Sequence, residues 1–267
     1  MSKIIFVTGS TDGIGKLAAK KFAGNGHHVL VHGRNADKLK ATISEIKAET
    51  KNKNVHGYVS DFSSLASVKL LIDEIIQQHS KIDVLVNNAG IYNSSAPKTE
   101  QGLDVRFCVN YFAPYLLTQG LLPLLEESPS ARVVNLSSAA QAPVSLQALD
   151  GSRSLSAQEA YAQSKLALTM WSFYLSQKVP NVGIIAVNPG SLLNTKMVQE
   201  AFGQFWSSAE KGASIIYDLA ISEKYETTTG AYFDNDRGSF GQAHDDAYHQ
   251  EKIHALIAAT NNYLNKV

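Results

Sequence analysis

Tyr161 and Lys165 stand four residues apart in the run Tyr161-Ala162-Gln163-Ser164-Lys165. On a helix that spacing puts both side chains on one face. A phenol, with a pKa of about 10, is a poor acid–base group at neutral pH. An ammonium held beside it favours the phenolate, so the pair has the chemistry of a general acid/base with a lowered pKa. Bringing the phenol tenfold closer to neutral ionisation takes about 1.4 kcal/mol of differential stabilisation, which one close, partly desolvated cation supplies. Upstream, Ser156-x-x-Glu159 has the form of a capping box and predicts the start of the helix there. The pair also occurs by chance on amphipathic helices, so its surroundings decide its meaning.

A second constellation opens the chain. Thr8-Gly9-Ser10-Thr11-Asp12-Gly13-Ile14-Gly15 joins the apolar run Ile4 to Val7 to a helical stretch, Ile14 to Ala23. Within it Gly13-x-Gly15-x-x-Ala18 fits a dinucleotide-binding pattern, in which glycines let backbone N–H groups approach a pyrophosphate at a helix N-terminus. The alternative is a glycine-rich turn without a ligand, and placement between strand and helix argues against it. Gly9, Ser10, Thr11, Gly13, Ile14 and Gly15 are the expected contacts. About 20 residues further on, a carboxylate at the end of the second strand would suit a bare ribose hydroxyl. Gly33 and then Arg34 stand there instead. A guanidinium suits a phosphate dianion, so NADP(H) is expected over NAD(H). Asp12 adds no second cation to that site.

The elements that must position these groups alternate along the chain. Val29 to Val31, Val55 to Val59, Val84 to Val86, Arg132 to Leu136, Ile184 to Val187 and Gly230 to Phe233 read as further strands. Helical stretches, among them Asp37 to Glu49, Ser64 to Gln78 and Gly102 to Leu125, separate them, and a C-terminal helix follows. Buried strands alternating with helices predict an α/β fold: one doubly wound parallel sheet of about seven strands, helices on both faces, one domain over 1–267. Two stretches, Ala139 to Ala157 and Ser191 to Ser208, read as irregular. Both follow strand ends, where open α/β sheets bind ligands. They are expected to wall an apolar substrate pocket, with Phe202, Phe205 and Trp206 as aromatic candidates.

Asn110 lies inside a predicted helix although Asn is a mediocre helix former. Pro114, four residues on, has no N–H to give its carbonyl. That carbonyl needs another partner, such as water, and a break in the helix ladder is expected at this pair.

Composition excludes several classes. Lys plus Arg and Asp plus Glu number 24 each, so there is no electrostatic reason to expect nucleic acid or an anionic membrane as partner. Cys108 is the only cysteine, which rules out an internal disulfide; it reads as core packing. Met1 to Val7 lacks the form of a signal peptide and no run is long enough to span a membrane, so a cytoplasmic location is the expectation. The histidines show no ligand spacing, and no metal is expected.

Together these motifs resemble the short-chain dehydrogenase/reductase family. The matching residues are Thr8-Gly9 to Gly15, Asn87-Asn88-Ala89-Gly90, Asn110, Ser137-Ser138, Tyr161 to Lys165 and Asn188-Pro189-Gly190, in the family's order over about residues 3–235. The resemblance implies Tyr161 as general acid/base and Lys165 as its partner and a ribose ligand. It implies that Ser138, in preference to Ser137, bonds the substrate oxygen, and that Asn110 anchors a relay water. Asp61 would meet adenine, Asn88 and Gly90 would line the adenosine side, and Pro189, Gly190 and Thr195 would flank the nicotinamide. The 23-residue separation of Ser138 from Tyr161, with Tyr232-Phe233 and a helix starting near Asp245, is similar to the retinol-dehydrogenase-like branch. That branch favours lipophilic alcohols and carbonyls. The implied activity is NADP(H)-dependent hydride transfer between nicotinamide and a carbonyl or alcohol. A carbon–carbon double-bond reductase and a nucleotide-sensing non-enzyme are the alternatives. The resemblance leaves a homo-oligomer open.

Overall fold

The computed structural model describes residues 2–266; Met1, Val267 and the side chain of Phe202 lie outside the described residues. Eight strands form one sheet: β1 (Ile4–Val7), β2 (His28–Gly33), β3 (Val55–Val59), β4 (Val84–Asn87), β5 (Arg132–Leu136), β6 (Gly183–Asn188), β7 (Ala231–Asp234) and β8 (Ser239–Gly241). Their order is β3-β2-β1-β4-β5-β6-β7-β8. Every pair is parallel except the last, β7 with β8. The eighth strand goes beyond the seven expected. It is a three-residue hairpin return whose side chains are mostly exposed, so it leaves no apolar run to read.

Successive side chains of a strand point to opposite faces, which divides the core in two. Phe6, Leu30, Leu85, Val133 and Ile184 face one side. There they meet α3 (Leu65–Gln78), α5 (Ala113–Glu126) and the long helix α7 (Ala157–Lys178). Ile5, Val7, Val29, Val31, Val86 and Val134 face the other, against α1 (Gly13–Gly24), α2 (Ala36–Thr50) and α9 (Ala209–Ile221). Trp171, Phe173 and Leu175 on α7 are buried, and Tyr174 among them is half-buried. Cys108 is buried too, its thiol donating to the Phe62 carbonyl at 3.3 Å.

The strand order reverses between β1 and β4, which opens a crevice at their carboxyl ends. The two stretches read as irregular each hold a short helix, α6 (Leu146–Leu149) in the first and α8 (Lys196–Phe202) in the second. The last helix, α10 (Gln250–Leu264), begins after a single tight turn over Asp245–Tyr248. No helix among the described residues is long and apolar enough to cross a membrane.

The helix expected over 102–125 is interrupted. A short piece, α4 (Val105–Phe107), leads into a widened π turn over Cys108–Phe112 before α5 begins. There the Ala113 N–H reaches back five residues to the Cys108 carbonyl. The ladder therefore breaks around Asn110 through a widened turn, and Pro114 has no N–H to return to the Asn110 carbonyl. The shift leaves Pro114 in the first turn of α5, where proline is best tolerated.

Candidate active site

The glycine loop is shaped by close approach. Gly9 has φ +62°, and a Cβ there would lie 2.7 Å from the Ala89 Cα. A Cβ on Gly15 would lie 2.2 Å from the Asn88 amide nitrogen. That amide donates to the carbonyls of Thr8 (2.8 Å) and Gly9 (3.0 Å), so Asn88 braces the loop from β4. From the other side His32, at the end of β2, accepts the Gly9 N–H on Nδ1 at 3.0 Å. Asp12 caps α1 by accepting the Gly13 N–H at 2.8 Å.

This loop forms one wall of a cleft of about 510 Å³. Of the expected cofactor contacts, Gly9, Thr11, Gly13, Ile14 and Gly15 line it from the loop. Arg34, Asp61, Asn88 and Gly90 line it from the neighbouring strand ends, and Thr195 closes it from across the cleft. Ser10 does not line it. Its side chain is fully buried, donating to the Val7 carbonyl at 2.8 Å and accepting the His32 N–H at 2.9 Å. Pro189, Gly190, Tyr161 and Lys165 do not line the cleft either; Asn235 holds the Pro189–Gly190 loop by donating to the Pro189 carbonyl at 2.8 Å. The cleft suits a dinucleotide: a long groove against a helix N-terminus, kept open by glycines, with cations at one end.

Lys38 is one of those cations and was not foreseen. It lines the cleft near Arg34 and pairs with Asp12 at 2.5 Å. Its signal in sequence is its place one turn after Arg34, where the Asn35 side chain accepts the Lys38 N–H and so starts α2.

At the other end of the cleft, Tyr92 packs on Tyr161 with ring centroids 5.0 Å apart. The capping box is complete: Ser156 Oγ accepts the Glu159 N–H, and the Glu159 carboxylate accepts the Ser156 N–H. It starts α7 where predicted and presents Tyr161 and Lys165 together. The Ser138 side chain approaches the Tyr161 hydroxyl and works to lower its pKa. Ser137 is buried and bonded to Thr169 at 2.6 Å, so it faces α7 and away from the cleft. The structure thus brings Ser138, Tyr161 and Lys165 together.

Among the protein's own groups, the balance holds the Tyr161 phenol above its ordinary range. Burial raises it, the Ser138 side chain works against that, and Tyr92 adds to the rise. The Lys165 ammonium lies over the ring face, 5.6 Å from its centroid, and donates to the Leu136 carbonyl at 2.7 Å. It is not aimed at the hydroxyl, so desolvation wins. Burial also brings Lys165 down to about 8.

Asn110 is buried and its side chain is fully used. It accepts the Ile91 N–H at 2.8 Å and donates to the Ile91 carbonyl and Ser164 Oγ, both at 3.0 Å. It ties the segment after β4 to α7, next to Gly90, whose added Cβ would lie 3.5 Å from Lys165 Nζ. Both loop segments approach the site. The first packs on the start of α7, with the Ala142 N–H donating to the Ala162 carbonyl at 3.3 Å and the Ser145 N–H to Gln163 at 2.9 Å. The second lines the cleft through Thr195, Lys196, Met197 and Glu200. Of its aromatic candidates, Phe205 is 51% exposed, Trp206 is 73% exposed and neither lines the cleft, while the Phe202 side chain lies outside the described residues. The bridge that pairs Leu193 with Ser207 holds their backbone at the surface.

A doubly wound sheet with a glycine-rich crevice and a Ser–Tyr–Lys cluster at its edge defines a dinucleotide-dependent oxidoreductase class. The chain belongs to the short-chain dehydrogenase family, whose model matches residues 3–204, and is an enzyme of that class. It is 33% identical to mouse (Mus musculus) retinol dehydrogenase 12 over 243 residues, 86% of this chain and 77% of that one. It is also 33% identical to human (Homo sapiens) polyprenol dehydrogenase over 256 residues, 88% of this chain and 77% of that one. Likeness to the retinol dehydrogenases places it in their branch. Among solved structures, Pseudomonas aeruginosa RhlG in complex with NADP is 25% identical, with TM-score 0.72, covering 88% of this chain and 95% of that one.

Proposed function

We propose that this enzyme uses NADP(H) to interconvert a lipophilic carbonyl compound and its alcohol. The observation that carries the reading is the approach of Ser138 to the Tyr161 hydroxyl beside Lys165, packed against Tyr92 and Gly90, which line the dinucleotide cleft. When bound, the nicotinamide supplies or accepts the hydride. Ser138 holds the substrate oxygen by hydrogen bond, and Tyr161 gives its proton to that oxygen as the carbonyl is reduced. A phenol raised by burial stays protonated at neutral pH, which suits the reductive direction. Lys165, still mostly charged at neutral pH, holds the cofactor ribose and replaces charge as the proton leaves. Asn110 fixes Ile91 and, through its main-chain carbonyl, anchors a relay water. Along the cleft, Gly9, Thr11, Gly13, Ile14 and Gly15 take the pyrophosphate, Asp61, Asn88 and Gly90 the adenosine, and Thr195 the nicotinamide end.

Arg34, joined by Lys38, takes the 2′-phosphate; no carboxylate at Gly33 competes for a ribose hydroxyl. RhlG, complexed with NADP, supports that choice. Relatives named for retinol and polyprenol support a lipophilic substrate. The test is NADPH consumption with aldehydes and ketones of increasing chain length. Turnover rising with chain length supports the reading. Binding of cofactor without consumption would make the protein a nucleotide sensor, and activity confined to conjugated double bonds would make it a carbon–carbon double-bond reductase.

A further inference from the structure

We propose that Tyr232 and Gln141 are positioning residues: together they clamp the main-chain carbonyl of Ser138 and so hold its side chain against Tyr161. The inference rests on the acid–base reading of Ser138 and Tyr161 above. Tyr232, buried on β7, donates its hydroxyl to the Ser138 carbonyl at 3.0 Å. Gln141 donates its amide N–H to the same carbonyl at 2.8 Å. A carbonyl oxygen has two lone pairs, and here two side chains fill them. Gln141 is steadied in turn by the His244 N–H, which donates to its side-chain oxygen at 3.2 Å. Within the turn, Ser138 Oγ accepts the Ala140 N–H at 3.1 Å.

The three elements that meet here are the end of β5, strand β7 next to the sheet edge and the segment after β8. A rotation of the Ser138 peptide that swings its side chain away from Tyr161 would break both bonds to its carbonyl at once. Burial pushes the Tyr232 phenol well up, so it remains a donor throughout the working pH range. The groups facing Tyr161 are Ser138 from the end of β5, Tyr92 from the segment after β4, and Lys165 from its own helix. Of the influences on the Tyr161 phenol, the neighbouring Ser138 side chain is the one that lowers its pKa. A clamp on Ser138 therefore sets the proton affinity of Tyr161 from a distance.

Tyr232→Phe keeps the ring that packs in β7 and removes only the donor. Gln141→Leu, in a less buried segment, removes the other and serves if the first variant folds poorly. Two readouts are taken on the full chain with NADP bound. One is turnover with the NADP dissociation constant. The other is the ionisation of Tyr161 alone, as tyrosinate absorbance of each protein minus that of its Tyr161→Phe counterpart. The clamp predicts an unchanged dissociation constant, a fall in kcat, and a Tyr161 midpoint raised by about half to one pH unit, the size expected for one lost hydrogen bond. A lowered melting temperature with an unmoved Tyr161 midpoint makes both contacts merely structural and overturns the proposal. If Tyr161→Phe itself keeps full turnover, the acid–base reading fails instead, and the absorbance midpoint still decides the clamp.

Discussion

His32 supports the glycine loop from beneath, its Nδ1 accepting the Gly9 N–H and its Nε2 facing the Ser60 carbonyl, each at 3.0 Å. Because one partner can only donate and the other only accept, the ring must be neutral with its proton on Nε2. It is buried and stacks on Phe62 with centroids 4.2 Å apart.

Burial holds the His32 pKa down at about 4. An unfolded histidine takes up its proton near 6.5, so as pH falls from about 6.5 towards 4 the unfolded chain gains a proton that the folded chain refuses. Stability is therefore lost through that window, by about 3 kcal/mol at most, and the loss levels off below it. Carboxylates also titrate there, so the informative quantity is the difference between the wild type and His32→Gln. Unfolding in denaturant at several pH values should show that difference shrinking on acidification; a constant difference would falsify the assignment.

Tyr161→Phe should leave the fold and cofactor binding intact while turnover falls by at least ~10²-fold, the usual contribution of a positioned acid. Steady-state rates beside NADPH binding measure both. Near-wild-type turnover would remove Tyr161 from the chemistry.

Arg34→Ala should reduce preference for NADP(H) over NAD(H) by about tenfold, the low end for a charge-assisted bond because Arg34 is exposed. Asp12→Asn is the sharper test. Asn caps a helix as well as Asp, so α1 keeps its start while Lys38 is released from its ion pair. NADP(H) affinity should rise by about two- to fivefold, the range of an exposed pair, with NAD(H) little changed. Equal gains for both cofactors would mean that Lys38 does not reach the 2′-phosphate.

Ser156→Ala should destabilise the protein by about 1 kcal/mol, the usual cost of losing an N-cap side chain. Ser156→Asp, which caps equally well, should recover most of it. Tyr161 lies in the second turn of that helix, so kcat should follow stability in the alanine variant. Thermal or denaturant unfolding of the three proteins settles the comparison, and an alanine variant as stable as wild type would show the cap to be idle.

Most of the sheet and half of the site are local properties, which is why they were legible in the sequence. The bounds of β3 and β5 match the predicted ones: β5 is buried throughout, and β3, at the sheet edge, keeps Val55 and Tyr58 buried. The glycine loop is equally local, since turn, strand and helix follow one another, and the same holds for the capping box and the Tyr161–Lys165 spacing. Tertiary structure decided whatever depends on where a side chain points once distant segments meet. It chose Ser138 over Ser137, buried Ser10 beneath the loop and left Trp206 in solvent. It brought Lys38 to Asp12 across 26 residues and Tyr232 to Ser138 across 94. It also set Lys165 over the Tyr161 ring face, because spacing along a helix says that two groups are neighbours but not whether a cation faces the hydroxyl or the ring. Desolvation and hydrogen-bond direction are set by the whole packed environment, and no local pattern encodes them.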